Sequence, residues 1–193
     1  DLLDRKQILI DNPIVKRDVD NKVILVTGAA GSIGGEISRQ LASYNLKKLI
    51  LIDQAESPLY DLQQELIQQG QQNFEAIVAD VRDKKRMREI FEHYKPQKVF
   101  HAAAYKHVPL MEESPYEAVK INIKGTKNIA DLSFKYNVER FVMVSTDKAV
   151  NPTNVMGATK RVAEMYIACL SKKASFTKFT ITRFGNVLGS NGS

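Results

Sequence analysis

The chain has 193 residues, 44% of them apolar and 26% charged, with ten glycines, six prolines and a single cysteine. These proportions fit one globular domain with a sizeable core, and they exclude a disulfide scaffold, a collagen-like repeat and a wholly disordered chain. The net charge is +6, but the bases lie among acids, as in Asp83-Lys84-Lys85-Arg86-Met87-Arg88-Glu89, which reads as a solvated helix face and not as a nucleic-acid surface.

Residues 1–20 alternate charged and aliphatic residues without a sustained period and are broken by Asn12-Pro13. They read as a lead-in segment, with the domain proper over 21–193. From Lys22 the pattern changes. Short aliphatic or β-branched runs occur at Val23–Val26, Leu49–Ile52, Phe74–Val78, Val99-Phe100, Phe141–Val144 and Phe179–Thr182. Each predicts a strand buried on both faces. Helical stretches fall between them at about 32–44, 57–69, 84–94, 115–137 and 156–172. Gly70 suits the stop of the second, and Pro96 the turn after the third. The Gln-rich stretch 63–72 reads as an exposed helix face and turn. Cys169 shares a helical-period apolar stripe with Val162, Met165, Tyr166 and Leu170, which predicts a core residue and not a reactive thiol. Regular strand–helix alternation predicts an α/β fold, a doubly wound parallel sheet with helices on both faces.

Directly after the first strand comes Thr27-Gly28-Ala29-Ala30-Gly31-Ser32-Ile33-Gly34-Gly35. Glycines at 28, 31 and 34 permit a tight turn, close approach of a pyrophosphate to the backbone and close helix–strand packing, and the next helix offers its free N–H groups to the phosphates. Asp53 ends the second strand 19 positions after Gly34, where a carboxylate receives both hydroxyls of an adenosine ribose. Gln54 follows, and no arginine stands nearby to welcome a 2′-phosphate, so NAD is favoured over NADP. Asp80, in Ala79-Asp80-Val81, either contacts the adenine amine or caps the following turn.

These residues resemble the extended branch of the short-chain dehydrogenase/reductase superfamily, whose fold is of the Rossmann type. Ala102-Ala103-Ala104 resembles the small-residue segment beside the cofactor, and Asn122 stands where that branch has a structural Asn. The segments His101–Glu112, Val144–Pro152 and Arg183–Ser190 are similar to the bacterial polysaccharide-biosynthesis nucleotide-sugar 4,6-dehydratases, above all the membrane-anchored kind acting on UDP-N-acetylglucosamine. The likeness runs almost continuously over 22–193. It implies cofactor contacts from Gly28, Ala30, Gly31, Ser32, Ile33, Gly34, Asp53, Gln54, Asp80, Val81, Ala102, Ala103, Ala104 and Lys160. The superfamily's Tyr-x-x-x-Lys pair appears here as Met156-Gly157-Ala158-Thr159-Lys160. Both ends share one helix face, so Lys160 is placed for the nicotinamide ribose, while Met156 cannot exchange a proton.

A 4,6-dehydratase passes hydride from the sugar's 4-position to NAD, removes the 5-proton, expels the 6-hydroxyl as water and returns hydride to the 6-position. The resemblance makes Asp147 the acid for the departing hydroxyl and Lys148 the base for the 5-proton, with Thr146 serving the 4-hydroxyl proton. A free Lys titrates near about 10.4, so this base role asks for burial or nearby positive charge. Lys106 and His107, on the loop after the fourth strand, are candidates to face the sugar or its diphosphate, with a structural or solvated role the alternative for His107. Met156 is a substrate contact or a packing residue, Asn186 is a substrate contact implied by the resemblance, and Arg183 is either one more or half of a structural pair. No metal-ligand cluster is legible. The competing readings are a nucleotide-sugar 4-epimerase, which needs no acid for a leaving 6-hydroxyl, and a non-catalytic NAD-binding module.

No apolar run approaches the roughly 20 residues that cross a bilayer, and no signal sequence opens the chain. The sequence as it stands therefore predicts a soluble, intracellular chain. The resemblance implies that it is an excised piece, truncated before the C-terminal substrate-binding part. The parent would be anchored at the bacterial inner membrane with this domain on the cytoplasmic side, a UDP-sugar as substrate and a homodimer or higher homo-oligomer formed through the helices at 115–137 and 156–172.

Overall fold

The structure, a computed structural model, describes residues 13–187. Most of the lead-in segment, and Leu188 to Ser190 of the third motif, lie outside the described residues.

Six parallel strands run β1 (Val23–Thr27), β2 (Lys48–Asp53), β3 (Phe74–Val78), β4 (Lys98–His101), β5 (Arg140–Thr146) and β6 (Lys178–Phe184), in the spatial order β3-β2-β1-β4-β5-β6. The order reverses between β1 and β4, which opens a crevice at the carboxyl edge of the sheet. This is the Rossmann arrangement expected. Because strand side chains alternate, β1 and β2 send Ile24, Val26, Leu49 and Leu51 to one face and Leu25, Ile50 and Ile52 to the other. The first set packs with Leu41 of α2 (Ser32–Ala42) and Leu59, Leu62 and Leu66 of α3 (Glu56–Gln68). The second packs with Phe91 of α4 (Lys84–Tyr94), Ile129 of α7 (Thr126–Lys135) and Ala163 and Ile167 of α8 (Val155–Lys173).

Burial on both faces holds for β1 and the interior of β2. It fails for β3 and β6, which are the sheet edges and carry exposed positions such as Glu75, Val78 and Phe184. Gly70 takes φ +78° just past α3, as a helix stop requires.

Three further differences bear on the site. Pro13 does not end a loose lead-in but opens α1 (Pro13–Val19), where a missing N–H costs nothing. Val19 enters the core, and Asp18 holds the buried Lys98 ammonium at 2.9 Å, so the fold begins before residue 21.

The helix at 115–137 is resolved into α6 (Pro115–Ala118), a π-helical stretch over Val119–Gly125 and α7, with a separate α5 (Val108–Glu113) before it. The wide turn carries Asn122, whose side chain accepts from Tyr105 N at 2.9 Å and donates to Tyr105 O at 3.1 Å and Thr159 Oγ1 at 3.0 Å. It ties the loop after β4 to α8.

Finally, the stripe around Cys169 is not core. Val162 is 46% and Met165 57% exposed, and Cys169 is exposed as well, while only Tyr166 and Leu170 lean on the core. The inward face of α8 is instead Met156, Thr159, Lys160, Ala163, Glu164 and Ile167. The helix carries apolar residues on two faces, and periodicity alone does not say which one meets the sheet. No helix among the described residues is long and apolar enough to cross a membrane.

Candidate active site

The three loop glycines have different reasons to be bare. Gly28 has φ +68°, and a Cβ there would lie 2.5 Å from Ala103 N; one on Gly34 would lie 1.9 Å from Gly28 O. Backbone fills both spaces. A Cβ on Gly31 would meet only Gly28 O, at 3.3 Å, and otherwise faces the crevice. That opening, beside the first turn of α2 where Ser32, Ile33 and Gly34 carry N–H groups without intrahelical partners, fits a pyrophosphate.

Asp53 accepts from Ala30 N at 3.0 Å through one oxygen and from Ala55 N at 2.9 Å through the other. Each oxygen keeps a free lone pair, enough for a ribose diol. Gly28, Ala30, Gly31, Asp53, Gln54, Val81, Ala102, Ala103 and Ala104 line this end of the crevice together. The residues present therefore fit a dinucleotide.

Asp80 does not line it. Its carboxylate accepts from Arg82 N at 2.8 Å and Arg82 Nε at 2.7 Å, so it caps the turn and pairs with the guanidinium. Burial pushes this carboxyl up, but the hydrogen bonds and charge of Arg82 prevail and hold it below its ordinary range. The expectation of no arginine near Gln54 is also overturned, because the fold carries Arg82 Nη2 to 3.5 Å from Gln54 Oε1. Residues 28 positions apart meet here because adjacent parallel strands end side by side.

At the other end, Ser32, Ile33, Gly34, Lys106, His107, Thr146, Lys148, Met156, Lys160 and Asn186 share one cleft. Thr146 ends β5, and Asp147 and Lys148 form a 3-10 turn beyond it. Thr146 Oγ1 donates to Asp147 Oδ1 at 3.0 Å, and Lys148 Nζ lies 3.4 Å from the same oxygen and 3.0 Å from Asn186 Oδ1. The Thr146 hydrogen bond, helped by Lys148, holds the Asp147 carboxyl below its ordinary range. The condition set for Lys148 is not met, since its side chain is 36% exposed and faces a carboxylate and an amide. Lys106 and His107 are exposed on the loop before α5. Met156 is buried against Met111 and Ala118, which explains an apolar residue there by packing.

Behind this cleft lies a buried polar layer in which the sequence motifs mark Lys160, Ser145 and Arg183 but not Glu164. Lys160, 4% exposed, donates to Val144 O at 2.7 Å. Burial pushes it down to about 8, with the Glu164 carboxylate opposing, so at neutral pH the ammonium stays charged beside the cleft. Glu164 is 2% exposed and receives Ser145 Oγ at 2.7 Å and Arg183 at 2.9 and 2.7 Å. Arg183 is thus half of a structural pair. This clamp joins β5 next to Thr146 with β6 three residues before Asn186; the spacing of Glu164, one turn beyond Lys160, was the available signal. Gly157 lets the turn of Asp147–Ala149 sit on α8, since a Cβ there would lie 2.2 Å from Lys148 O.

His101 is fully buried between Thr27 Oγ1 at 2.7 Å and Thr126 Oγ1 at 2.9 Å. Burial, with the charge of Lys160 adding, pushes it down to about 3. The folded ring stays neutral while the unfolded chain takes up a proton, so its contribution is complete above about pH 6.5 and is lost toward pH 3, by up to about 1.4 kcal/mol per pH unit. Urea unfolding across that window is expected to show this acid slope, and a His101→Gln variant a shallower one. Equal slopes would refute the assignment.

Residues 24–193 match the family described as polysaccharide biosynthesis protein. The chain belongs to this family. Among its relatives, the capsular polysaccharide biosynthesis protein CapD of Staphylococcus aureus is 51% identical over all of the chain and 33% of that protein. The inverting UDP-N-acetylglucosamine 4,6-dehydratase of Campylobacter jejuni (strain 81-176) is 36% identical over 90% of the chain and 52% of that enzyme. The X-ray structure of Pen from Bacillus thuringiensis superposes with a TM-score of 0.84 at 36% identity, over 90% of this chain and 55% of that one. The Thermus thermophilus UDP-glucose 4-epimerase complex with NAD does so at 0.76 and 26%, over 89% and 57%. The chain spans between a third and about half the length of these relatives. They include nucleotide-sugar dehydratases and epimerases, so this polysaccharide-biosynthesis chain is related to nucleotide-sugar-modifying enzymes.

Proposed function

We propose that the chain is the NAD-binding and catalytic portion of a UDP-N-acetylhexosamine 4,6-dehydratase that forms a 4-keto-6-deoxy sugar for capsule or glycan synthesis. The observation that carries this is that Thr146 and Lys148 line the same cleft as Lys160, with Asp147 exposed between them on the turn and buried Met156 where the superfamily has its tyrosine. NAD, when bound, supplies the hydride acceptor and donor.

The chain's own groups do the rest. Asp53 takes the adenosine ribose hydroxyls and the α2 N-terminus the pyrophosphate. Lys160 holds the nicotinamide ribose and maintains a positive field. Lys148 removes the proton at the sugar's 5-position, a role that requires the bound sugar to cover its exposed ammonium and draw it away from Asp147; Asp147 protonates the departing 6-hydroxyl and Thr146 serves the 4-hydroxyl. Asp147 is exposed beside the cleft and ionised, so it acts as the acid only after taking a proton from solvent, which displacement of water from the turn by bound substrate would favour. Lys106, His107 and Asn186 contact the UDP-sugar.

Membrane anchoring of a longer parent, on the cytoplasmic side, belongs to the same proposal. So does a homo-oligomer through α7 and α8, supported by the exposed Val162, Met165 and Cys169. A 4-epimerase is the second reading, favoured by the likeness to the Thermus enzyme. This chain by itself is expected to turn over poorly, so the test is incubation of a complete-length parent with UDP-N-acetylglucosamine and mass analysis of the product. Loss of one water is expected, and an isomer of unchanged mass would replace the dehydratase by the epimerase.

A further inference from the structure

Arg82 lies on the turn after β3, and its backbone is anchored by Asn128, whose amide donates to Val81 O at 3.0 Å and Arg82 O at 3.2 Å. The guanidinium is divided between two carboxylates. Nε and Nη2 reach Asp80 Oδ2 at 2.7 and 2.6 Å, and Nη1 reaches Glu117 Oε2 at 2.8 Å. Nη2 also approaches Gln54 Oε1 at 3.5 Å. Gln54 lines the crevice beside Asp53, so a cation stands one side chain away from the place where the adenosine ribose is received. Glu117 is itself paired with Lys120 Nζ at 3.1 Å.

A 2′-phosphate on that ribose would bring up to about two negative charges and three acceptor oxygens, for which a guanidinium is the suited partner. We infer that Arg82 is a latent 2′-phosphate-binding residue, withheld from the crevice by Asp80 and Glu117. Preference for NAD over NADP is then set by Asp53, Asp80 and Glu117 acting together and not by the Asp53 carboxylate alone. Asp53 repels the extra phosphate, while Asp80 and Glu117 occupy the Arg82 guanidinium that would attract it. The inference rests on the dinucleotide reading of the site.

The test is calorimetric titration of the purified protein, freed of bound dinucleotide, with NAD and with NADP. Asp53→Ser narrows the preference. Adding Glu117→Gln to it is expected to raise the NADP-to-NAD affinity ratio by about a further tenfold, the scale of one charge-assisted hydrogen bond gained. Adding Arg82→Gln to that pair returns the ratio to the Asp53→Ser value, and thermal melts check that each variant is folded. A ratio that Glu117→Gln leaves unmoved, or a gain that survives loss of Arg82, overturns the inference. Wild-type protein that binds neither dinucleotide would overturn the cofactor reading beneath it instead.

Discussion

Lys148→Ala is expected to lower turnover of the UDP-sugar by about 10²–10⁴-fold with little change in KM, the range for losing a positioned general base. The lysine stands at the carboxyl end of β5, steered by Asn186 and Asp147, with its side chain 36% exposed. Its removal therefore leaves stability within about 0.5 kcal/mol, as for other surface positions. The discriminating readout is uptake of solvent deuterium at the sugar's 5-position, which Lys148→Ala abolishes. Retained exchange at that carbon would assign the base elsewhere. Asp147→Asn, which spares the base, is expected to keep the exchange and lose expulsion of water. The two variants thus separate proton removal from leaving-group protonation in one assay.

Two alanine substitutions in the glycine loop are expected to behave oppositely. At Gly34 the new methyl would stand 1.9 Å from Gly28 O and 2.8 Å from its carbonyl carbon, both backbone atoms, so α2 must move off the end of β1. Ordinary overpacking costs about 1–3 kcal/mol with side chains giving way. Here only backbone can yield, and a loss of at least about 3 kcal/mol in chemical denaturation follows, with dinucleotide binding lost too. At Gly31 the methyl meets Gly28 O alone, at 3.3 Å, and points into the crevice. Stability should change by less than about 1 kcal/mol, while dinucleotide affinity falls at least about tenfold because the pyrophosphate loses its approach to bare backbone. If Gly31→Ala bound NAD as tightly as the parent, the phosphates would have to lie elsewhere.

Much of this was legible in the residues themselves. Buried aliphatic runs alternating with amphipathic stretches specify a parallel sheet, because a strand hidden on both faces has to be covered by helices on both sides. The spacing of Gly28, Gly31, Gly34 and Asp53 marks the nucleotide end, because turn geometry and ribose distance are local properties of one strand–helix–strand unit. Met156 and Lys160 share a face for the same local reason.

What only the tertiary structure decided concerns contacts between distant segments. Arg82 reaches Gln54 because β2 and β3 end side by side, whereas a search along the chain for a neighbouring arginine finds none. Glu164 is an ordinary helix acid in sequence, and it becomes a clamp because β5 and β6 bring Ser145 and Arg183 to it. The face of α8 that holds Cys169 satisfies helical periodicity as well as the face that packs. The choice falls to Ala163 and Glu164, because the sheet end they meet offers close packing and an arginine, and burial follows what lies opposite and not hydrophobicity alone.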